Sequence, residues 1–259
     1  MKRTLYTCAK AIAAALLICG VACSDGPEAA APTFDTASGL ARCRSARAEL
    51  DDAWMRLDAA RAAVVPSSAV PAAGVGSSGD RRDPETELAA AQTAFDLAYG
   101  DDQAALTEFL NAALRTGAAD RDIAVALSLY ADSAIRCATD VIARSGDYRR
   151  AIDLLETARG YFAEAHAALP PDLLAALERA RRFSVITKAR FDRLARGMTD
   201  AQVKVLVGVP YADNVRRSEV AGKQVTSWLY RSEDGGVSAL YFDDSLRLYA
   251  WRWNVRQGG

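Results

Sequence analysis

The spacing of apolar residues changes from a helical to a strand period near residue 225, and this change constrains the fold more than any other feature of the sequence. Up to about residue 195 apolar positions recur every three or four residues, as on one face of a helix. Runs rich in β-branched and aromatic residues follow at 225–230, 237–242 and 246–253. The sequence therefore predicts an α+β protein, with helices first and an antiparallel three-stranded sheet last.

Interruptions in the helical pattern divide the first part of the chain into segments. Five helices are expected, at about 38–64, 84–115, 120–144, 148–165 and 172–183. Gly100 and Asp101 leave open whether the second helix is continuous or restarts there. Residues 65–83 have no periodicity and are rich in Pro, Ser and Gly, so we expect a mobile loop within a helical domain that spans 38–186.

This loop contains a match to the dinucleotide-binding pattern G-x-G-x-x-G, at residues 74–79. The pattern binds a pyrophosphate where a buried strand leads through the glycines into a helix N-terminus. Here prolines flank the segment and no βαβ unit follows. We therefore expect no nucleotide binding.

The N-terminus has the pattern of an export signal. Lys2, Arg3 and Lys10 supply positive charge before and at the start of an apolar run at 11–22. A membrane-spanning helix needs roughly 20 apolar residues, so this run is too short to cross a bilayer. Residues 1–22 are therefore interpreted as a signal peptide that is removed on export.

The residues at the expected cut, Gly20-Val21-Ala22-Cys23, resemble a bacterial lipobox, in which the cysteine is lipidated and becomes the N-terminus. Small residues before the cut also suit ordinary signal peptidase. In the lipobox interpretation Cys23 is a membrane anchor and 23–37 is a flexible tether. Ser24 resembles the signal for outer-membrane sorting, so we expect a lipid-anchored protein of the outer membrane that faces the periplasm.

Composition argues against several classes of function. Thirty-two Lys and Arg against 33 Asp and Glu leave a net charge of −1, too balanced for an affinity that depends on neutralising nucleic-acid phosphates. His166 is the single histidine, and no cysteines have the spacing of a structural zinc site. No P-loop, G-x-S-x-G or H-E-x-x-H sequence occurs. We therefore expect no metal, no cofactor, no catalytic residues and no enzymatic activity.

Cys43 and Cys137 lie on the apolar faces of two predicted helices. An oxidising compartment would allow them to form a disulfide. They are equally compatible with two separately buried thiols, because the sequence does not give the Cα–Cα distance that a disulfide requires. Both alternatives stay open at the level of the sequence.

The turn between the third and fourth helices resembles that of a tetratricopeptide repeat. It consists of Gly146–Tyr148, followed by Ala151, Leu155 and Ala158 at the spacing of the repeat's second helix. No second copy occurs at a 34-residue period, so we expect a helical-hairpin domain of tetratricopeptide type and not a repeat array. Such domains bind peptides or other proteins, and the alternative is a helical spacer.

Capping signals define two short helices before the predicted strands. Thr187 can cap the first, and Gly197 ends it. Thr199 and Gln202 form a capping box for the second, which ends at Gly208 with a proline two residues later. From residue 187 the order of elements is therefore α-α-β-β-β.

This order and its residues resemble the outer-membrane lipoprotein family called BamE, or SmpA/OmlA. The family pattern is G-M-T-x-x-Q-V-x-x-x-L-G-x-P, and this chain has one residue fewer between the valine and the leucine, which places the leucine and the glycine two apart. The matching residues are Gly197, Met198, Thr199, Gln202, Val203, Leu206, Gly208 and Pro210, with Trp228, Tyr230, Tyr241 and Phe242 in the strands. The resemblance covers about 187–255 and predicts a BamE/SmpA-like domain over 187–259, with a helical domain in place of the family's short N-terminal arm.

The resemblance implies a non-enzymatic accessory component that helps to stabilise the machine inserting β-barrel proteins into the outer membrane. It also implies contacts of lipid headgroups and machine subunits with the sheet and its adjacent loops. The candidates for partner or lipid binding are Asn214, Arg216, Arg217, Trp251 and Trp253. Two other functions fit the same elements: a tetratricopeptide-type scaffold for another envelope complex, and a secreted binding protein like the small hydrolase inhibitors.

Lipidation of Cys23 is tested by Cys23→Ser in the full-length chain. We expect the parent chain to stay with membranes through a high-salt wash, because acyl chains contribute about 0.8 kcal/mol per buried CH₂. The Cys23→Ser variant should be extracted by that wash, as measured by blotting both fractions. Cys19→Ser, in the same segment, is the control and should stay membrane-bound, whereas retention of Cys23→Ser contradicts the anchor.

Overall fold

The computed structural model describes residues 34–64, 83–220 and 222–255, which belong to one compact unit. Seven α-helices lie in these ranges: α1 (Thr36–Val64), α2 (Pro84–Thr116), α3 (Asp120–Ser145), α4 (Tyr148–Glu164), α5 (Pro171–Phe183), α6 (Lys188–Phe191) and α7 (Asp200–Val207). A 3-10 turn at Ala212–Asn214 leads into four strands: β1 (Val215–Val220), β2 (Lys223–Arg231), β3 (Val237–Phe242) and β4 (Leu248–Arg252). The α+β class expected from the sequence is confirmed.

Several predictions concern residues outside the described ranges. They are the signal peptide at 1–22, the lipidated Cys23 with most of the tether, and the loop at 65–83 apart from its last residue. Within the described ranges, none of the helices combines the length and the apolar character needed to cross a membrane.

The helix ends follow the signals in the sequence. α2 runs unbroken through Gly100, so the helix does not restart there. Gly117 and Gly146 follow α2 and α3 with φ angles of 67° and 63°, and each donates its N–H to a carbonyl of the last helical turn. This left-handed conformation is the common helix C-cap, and glycine adopts it without a steric penalty.

The sheet is antiparallel and has the strand order β1-β2-β3-β4, so the prediction of three strands is wrong. The missed strand, β1, has the sequence VRRSEV, and only its first residue is even half-buried. It pairs with β2 over its whole length, from Val215 opposite Trp228 to Val220 opposite Lys223. Sequence prediction relied on apolar alternation, which an edge strand exposed on both faces does not have.

A bulge in β4 determines which of its residues face the core. The register between β3 and β4 shifts by one residue, which leaves Tyr249 as the extra residue of β4. Leu248 and Trp251 therefore both contact the core under the sheet. Strict alternation along the strand would place these two residues on opposite faces, and the bulge brings them to the same face.

The described residues form three apolar cores: a small one around Leu50, Leu57 and Phe95 between α1 and α2, a larger helical core, and a core beneath the sheet. In the helical core, small side chains such as Ala134, Ala151 and Ala158 are buried where α3 packs against α4, which allows the two helices to approach closely. The core beneath the sheet contains Trp228 and Phe242, whose rings have centroids 4.1 Å apart. α6 and α7 supply the helical side of this core.

Cys43 and Cys137 are both buried and free. The Cys43 thiol donates to the carbonyl oxygen of Ala105 at 3.4 Å, while the Cys137 side chain hydrogen-bonds with that of Tyr99. Burial raises the pKa of each thiol to about 11. The structure describes the two cysteines as separate thiols, and both are neutral at physiological pH.

A buried polar network joins the first three helices. Asp102 in α2 is completely buried, and its Oδ2 accepts a hydrogen bond from Ser133 Oγ in α3 at 2.5 Å. Arg47 in α1 donates to the same Ser133 Oγ and to the Leu129 carbonyl oxygen. Among the described residues, the second oxygen of Asp102 has no hydrogen-bond partner. Burial raises the pKa of Asp102 above its ordinary value of 3.8.

The raised pKa of Asp102 makes stability depend on pH. A carboxyl whose pKa is higher in the folded than in the unfolded chain stabilises the fold below its unfolded pKa, and this contribution is lost as the pH rises through the folded pKa. Asp102→Asn keeps the shape of the side chain without an ionisable group. We therefore expect its free energy of unfolding to increase relative to that of the parent as the pH rises above about 4, the ordinary pKa of an aspartate, as measured by urea unfolding.

The control for this measurement is Asp58→Asn, which changes an exposed carboxylate of α1. It removes one carboxylate by the same substitution without changing the buried network. If the curves of the parent and of Asp102→Asn run parallel, the buried carboxyl does not titrate as expected.

Candidate binding surface

Two tyrosines hold the segment between α7 and β1 from opposite sides. Tyr148, the first residue of α4, accepts a hydrogen bond from the N–H of Val209 at 2.9 Å. Tyr230 of β2 donates to the carbonyl oxygen of Gly208 at 2.9 Å. Burial raises the pKa of both phenols above the ordinary value of 10, so both hydroxyls stay protonated at neutral pH. We call residues 208–211 the junction segment, since it links the helical region to the sheet.

Glycines make room for this contact. A Cβ on Gly146, in the turn between α3 and α4, would lie 2.2 Å from the carbonyl oxygen of Pro210. Gly208 has a φ of 92°, and a Cβ there would lie 2.7 Å from the Tyr148 hydroxyl. The backbone of the helical turn and that of the junction segment therefore touch where no side chain fits.

A second contact joins the linker between α5 and α6 to the end of β2. The N–H of Ile186 donates to the carbonyl oxygen of Arg231 at 2.8 Å, and the N–H of Glu233 donates to the carbonyl oxygen of Ile186 at 3.0 Å. The Arg190 guanidinium lies 5.2 Å from the centroid of the Phe183 ring at the end of α5. Burial lowers the pKa of Arg190. The helical region and the sheet are thus connected at two separate points.

Two open clefts lie beside the junction segment and share Arg231. The larger, of about 580 Å³, is lined by the α3–α4 turn, the linker after α5 and Tyr211. The smaller, of about 370 Å³, is lined by Asn214, Arg216 and Leu229, and by the hairpin between β2 and β3. A continuous strip of surface therefore runs from the helical hairpin to the sheet.

The strip continues onto the face of the sheet that points away from α6 and α7, which we call the outer sheet face. The strand register assigns to it Arg216, Ser218 and Val220 of β1, Val225, Ser227, Leu229 and Arg231 of β2, Val237, Ala239 and Tyr241 of β3, and Ala250 and Arg252 of β4. Three of these residues are exposed arginines and none is acidic. These three arginines form no ion pair with any other described residue, since the ion pairs there all involve other lysines and arginines, such as Arg42 and Lys204.

The structure does not bring the five predicted binding residues together. Asn214 and Arg216 line the smaller cleft, and Arg217, the next residue of β1, belongs to the opposite face of the sheet. Trp251 and Trp253 contact the core beneath the sheet. They are held there by packing, and the Trp253 ring also donates its N–H to Asp234 at 3.2 Å.

Sequence reasoning missed Arg231 and Arg252. Arg231 is three residues beyond Trp228, so it belongs to the opposite face of β2 from that buried ring. The alternation along β2 is visible in the sequence, but the sequence alone does not show which face of the sheet is buried. Arg252 could not be assigned to a face in this way, because the bulge at Tyr249 lies before it.

The charged groups of the outer sheet face are guanidinium groups, with serine, tyrosine and aliphatic side chains beside them. The larger cleft is lined by Asp147 and Asp153 as well as by arginines. Guanidinium groups bind carboxylates and phosphates through paired hydrogen bonds. Among the described residues, no group of three or more His, Cys, Asp or Glu side chains could hold a metal ion. Comparison of the chain with protein-family models, with curated proteins and with solved structures found no match.

The contact at Gly146 is tested by comparing Gly146→Ala with Gly117→Ala. Both glycines end a helix with nearly the same positive φ, so alanine is strained by about 1–2 kcal/mol at either position. Gly117 has no atom within 4 Å of a Cβ, whereas Gly146 has the Pro210 carbonyl oxygen at 2.2 Å. We expect Gly146→Ala to lower the free energy of unfolding by about 2 kcal/mol more than Gly117→Ala in urea titrations. Equal effects would show that the contact does not constrain the junction.

Proposed function

We propose that this protein is a non-enzymatic lipoprotein of the cell envelope that acts as an accessory protein-interaction component, in outer-membrane β-barrel assembly or envelope integrity. The observation that carries this proposal is the outer sheet face, where the arginines form no ion pair with another described residue and lie beside aromatic and aliphatic side chains. The resemblance of residues 187–255 to BamE and of Gly20–Cys23 to a lipobox supports the same function.

The chemistry of the outer sheet face favours an acidic protein partner. Arginine and tyrosine are enriched among the residues that dominate binding energy at protein interfaces. An arginine that has no partner in the free protein can form a bidentate pair with a carboxylate without first breaking an existing pair. Residues 188–259 also carry 12 basic against 8 acidic residues. This net positive charge of the C-terminal part of the chain attracts acidic surfaces.

The residues that match the BamE pattern have defined structural roles here. Thr199 and Gln202 form the expected capping box, with the Gln202 N–H donating to Thr199 Oγ1 and the Thr199 N–H donating to Gln202 Oε1. Gly208 ends α7 with a positive φ and lies between Tyr148 and Tyr230. These roles support a BamE-like classification of residues 187–259.

The helical region has a supporting role in this proposal. The turn at Gly146 and the buried alanines of α4 are as expected for a tetratricopeptide-type hairpin, and we propose that classification for residues 38–186. This hairpin braces the junction segment and lines the larger cleft. A partner that lies on the outer sheet face can therefore reach the helical hairpin as well.

The proposal is tested by affinity purification of the full-length chain from detergent-solubilised membranes. We expect the parent to recover core components of the β-barrel assembly machine. The double variant Arg231→Glu/Arg252→Glu should reduce that recovery about tenfold or more, because it places like charges against an acidic partner. The readout is quantitative mass spectrometry of the recovered proteins.

The matched control is Arg121→Glu/Arg179→Glu, which makes the same change in charge at exposed helical positions. It should recover the partner as well as the parent does. Recovery of only cell-wall proteins or of only a hydrolase would favour the scaffold or the inhibitor-like alternative instead. Undiminished recovery with Arg231→Glu/Arg252→Glu would exclude the outer sheet face as the binding surface.

A further inference from the structure

The two edges of the sheet differ in what covers them. Along β4, the N–H of Gly197 donates to the carbonyl oxygen of Leu248 at 2.7 Å, and the N–H of Leu248 donates to the carbonyl oxygen of Met198 at 2.8 Å. The segment before α7 thus caps this edge. Within the described ranges, the N–H of Val215 at the start of β1 donates to the carbonyl oxygen of Ala212, and the other backbone hydrogen bonds of β1 are formed with β2. The rest of this edge of the sheet is therefore open.

The pairing of β1 with β2 determines which backbone groups lie on the open edge. Val220 and Lys223 face each other across a two-residue turn, and the closing pair of such a hairpin is a hydrogen-bonded pair. Alternation then directs the backbone groups of Ser218 toward β2 and those of Arg217 and Glu219 away from it. The open edge therefore offers the N–H and C=O groups of Arg217 and Glu219 for further pairing.

We propose that β1 pairs antiparallel with β1 of a second copy of this chain, about a two-fold axis through Ser218, to form one continuous eight-stranded sheet. A two-fold axis perpendicular to the sheet keeps the outer faces of both copies on the same side. Residues that face each other across the axis are then both odd-numbered or both even-numbered, so three registers pair the outward-pointing backbone groups of Arg217 and Glu219. They place Arg217 opposite Arg217, Arg217 opposite Glu219, or Glu219 opposite Glu219 of the second copy.

Charge selects the second register. It forms two symmetric Arg217–Glu219 pairs, whereas the first places two guanidinium groups and the third two carboxylates directly opposite each other. In the selected register Val220, which is 57% exposed, lies opposite Arg216 of the second copy. The aliphatic stem of that arginine can cover the valine side chain. In this register, the charged and the apolar side chains of β1 therefore both lie opposite complementary side chains of β1 in the second copy.

The charge pattern of β1 differs from that of a protected edge. Edge strands that avoid pairing are very short or carry charged side chains, prolines or bulges. Charges of one sign also make such a strand repel a second copy of itself. β1 instead has opposite charges at Arg217 and Glu219, the two positions whose backbone groups point outward, and its pairing with β2 has no bulge. This strand is thus arranged to pair with itself and not to avoid pairing.

The dimer is tested first by cysteine cross-linking of the full chain, purified in detergent with micelles in excess over protein. Ser218 would lie on the axis in a non-hydrogen-bonded pair, with Cα atoms about 4.5 Å apart. That distance is within the range of about 4.4–6.8 Å that a disulfide requires. Under mild oxidation we expect Ser218→Cys to give a covalent dimer on a non-reducing gel, well above the level of the parent chain with its own cysteines.

Two variants define the strand and the register. Ser227→Cys lies on β2, one strand in from the edge, and should not cross-link above the parent. Arg217→Cys would cross-link if Arg217 lay opposite Arg217 of the second copy. In the proposed register, the two substituted positions are diagonal neighbours about 7–8 Å apart, too far for a disulfide. If Ser218→Cys gives no more dimer than the parent, or if Arg217→Cys cross-links as well as Ser218→Cys, the proposal is overturned.

Charge reversal provides a second test without cysteines. By sedimentation in density-matched detergent, Arg217→Glu and Glu219→Arg should each raise the dissociation constant of the dimer about tenfold, because two attractive pairs become repulsive. The double variant Arg217→Glu/Glu219→Arg restores opposite charges and should return the dissociation constant to within about threefold of the parent value. Failure of the double variant to recover the dimer would also overturn the proposal. These residues differ from Arg231 and Arg252, so the dimer and the acidic partner are tested independently.

Discussion

Two tyrosine hydroxyls hold the backbone at residues 208 and 209, and the position of the sheet relative to the helices depends on them. Tyr148 reaches this backbone from the helical hairpin and Tyr230 reaches it from the sheet. Both phenols are neutral because burial raises their pKa, so the contact does not rely on charge and is insensitive to salt. Gly146 and Gly208 are needed at the same place because the two backbones approach too closely for side chains.

Much of the fold could be predicted because local signals determine it. Helix ends with a cap, such as Thr199 and Gln202 at the start of α7 or Gly146 at the end of α3, are encoded within a few residues. β1 could not be predicted in this way, because its polar side chains are exposed and its position depends on pairing with β2. The bulge at Tyr249 is likewise a property of the pairing between two strands and has no signal in the sequence of one.

The candidate binding surface was less predictable than the fold. Asn214 and Arg216 were identified from a family resemblance and lie together at the smaller cleft. Trp251 and Trp253 carry the same kind of signal in the sequence, but they contact the core beneath the sheet. Large aromatic residues are common both in cores and at interfaces, so residue type alone does not separate the two roles. Knowledge of which face is buried does separate them, and that knowledge depends on the strand register.

The unequal edges of the sheet limit how far it can extend. Because Gly197 and Met198 form backbone hydrogen bonds with Leu248 of β4, the β4 edge of the sheet has few free backbone groups for pairing with another strand. A sheet with one open edge can pair with one other sheet and then has no open edge left. Strand addition therefore stops after one step and does not continue into a filament. Self-association through the sheet is therefore limited to a dimer, and polymerisation by strand addition is prevented.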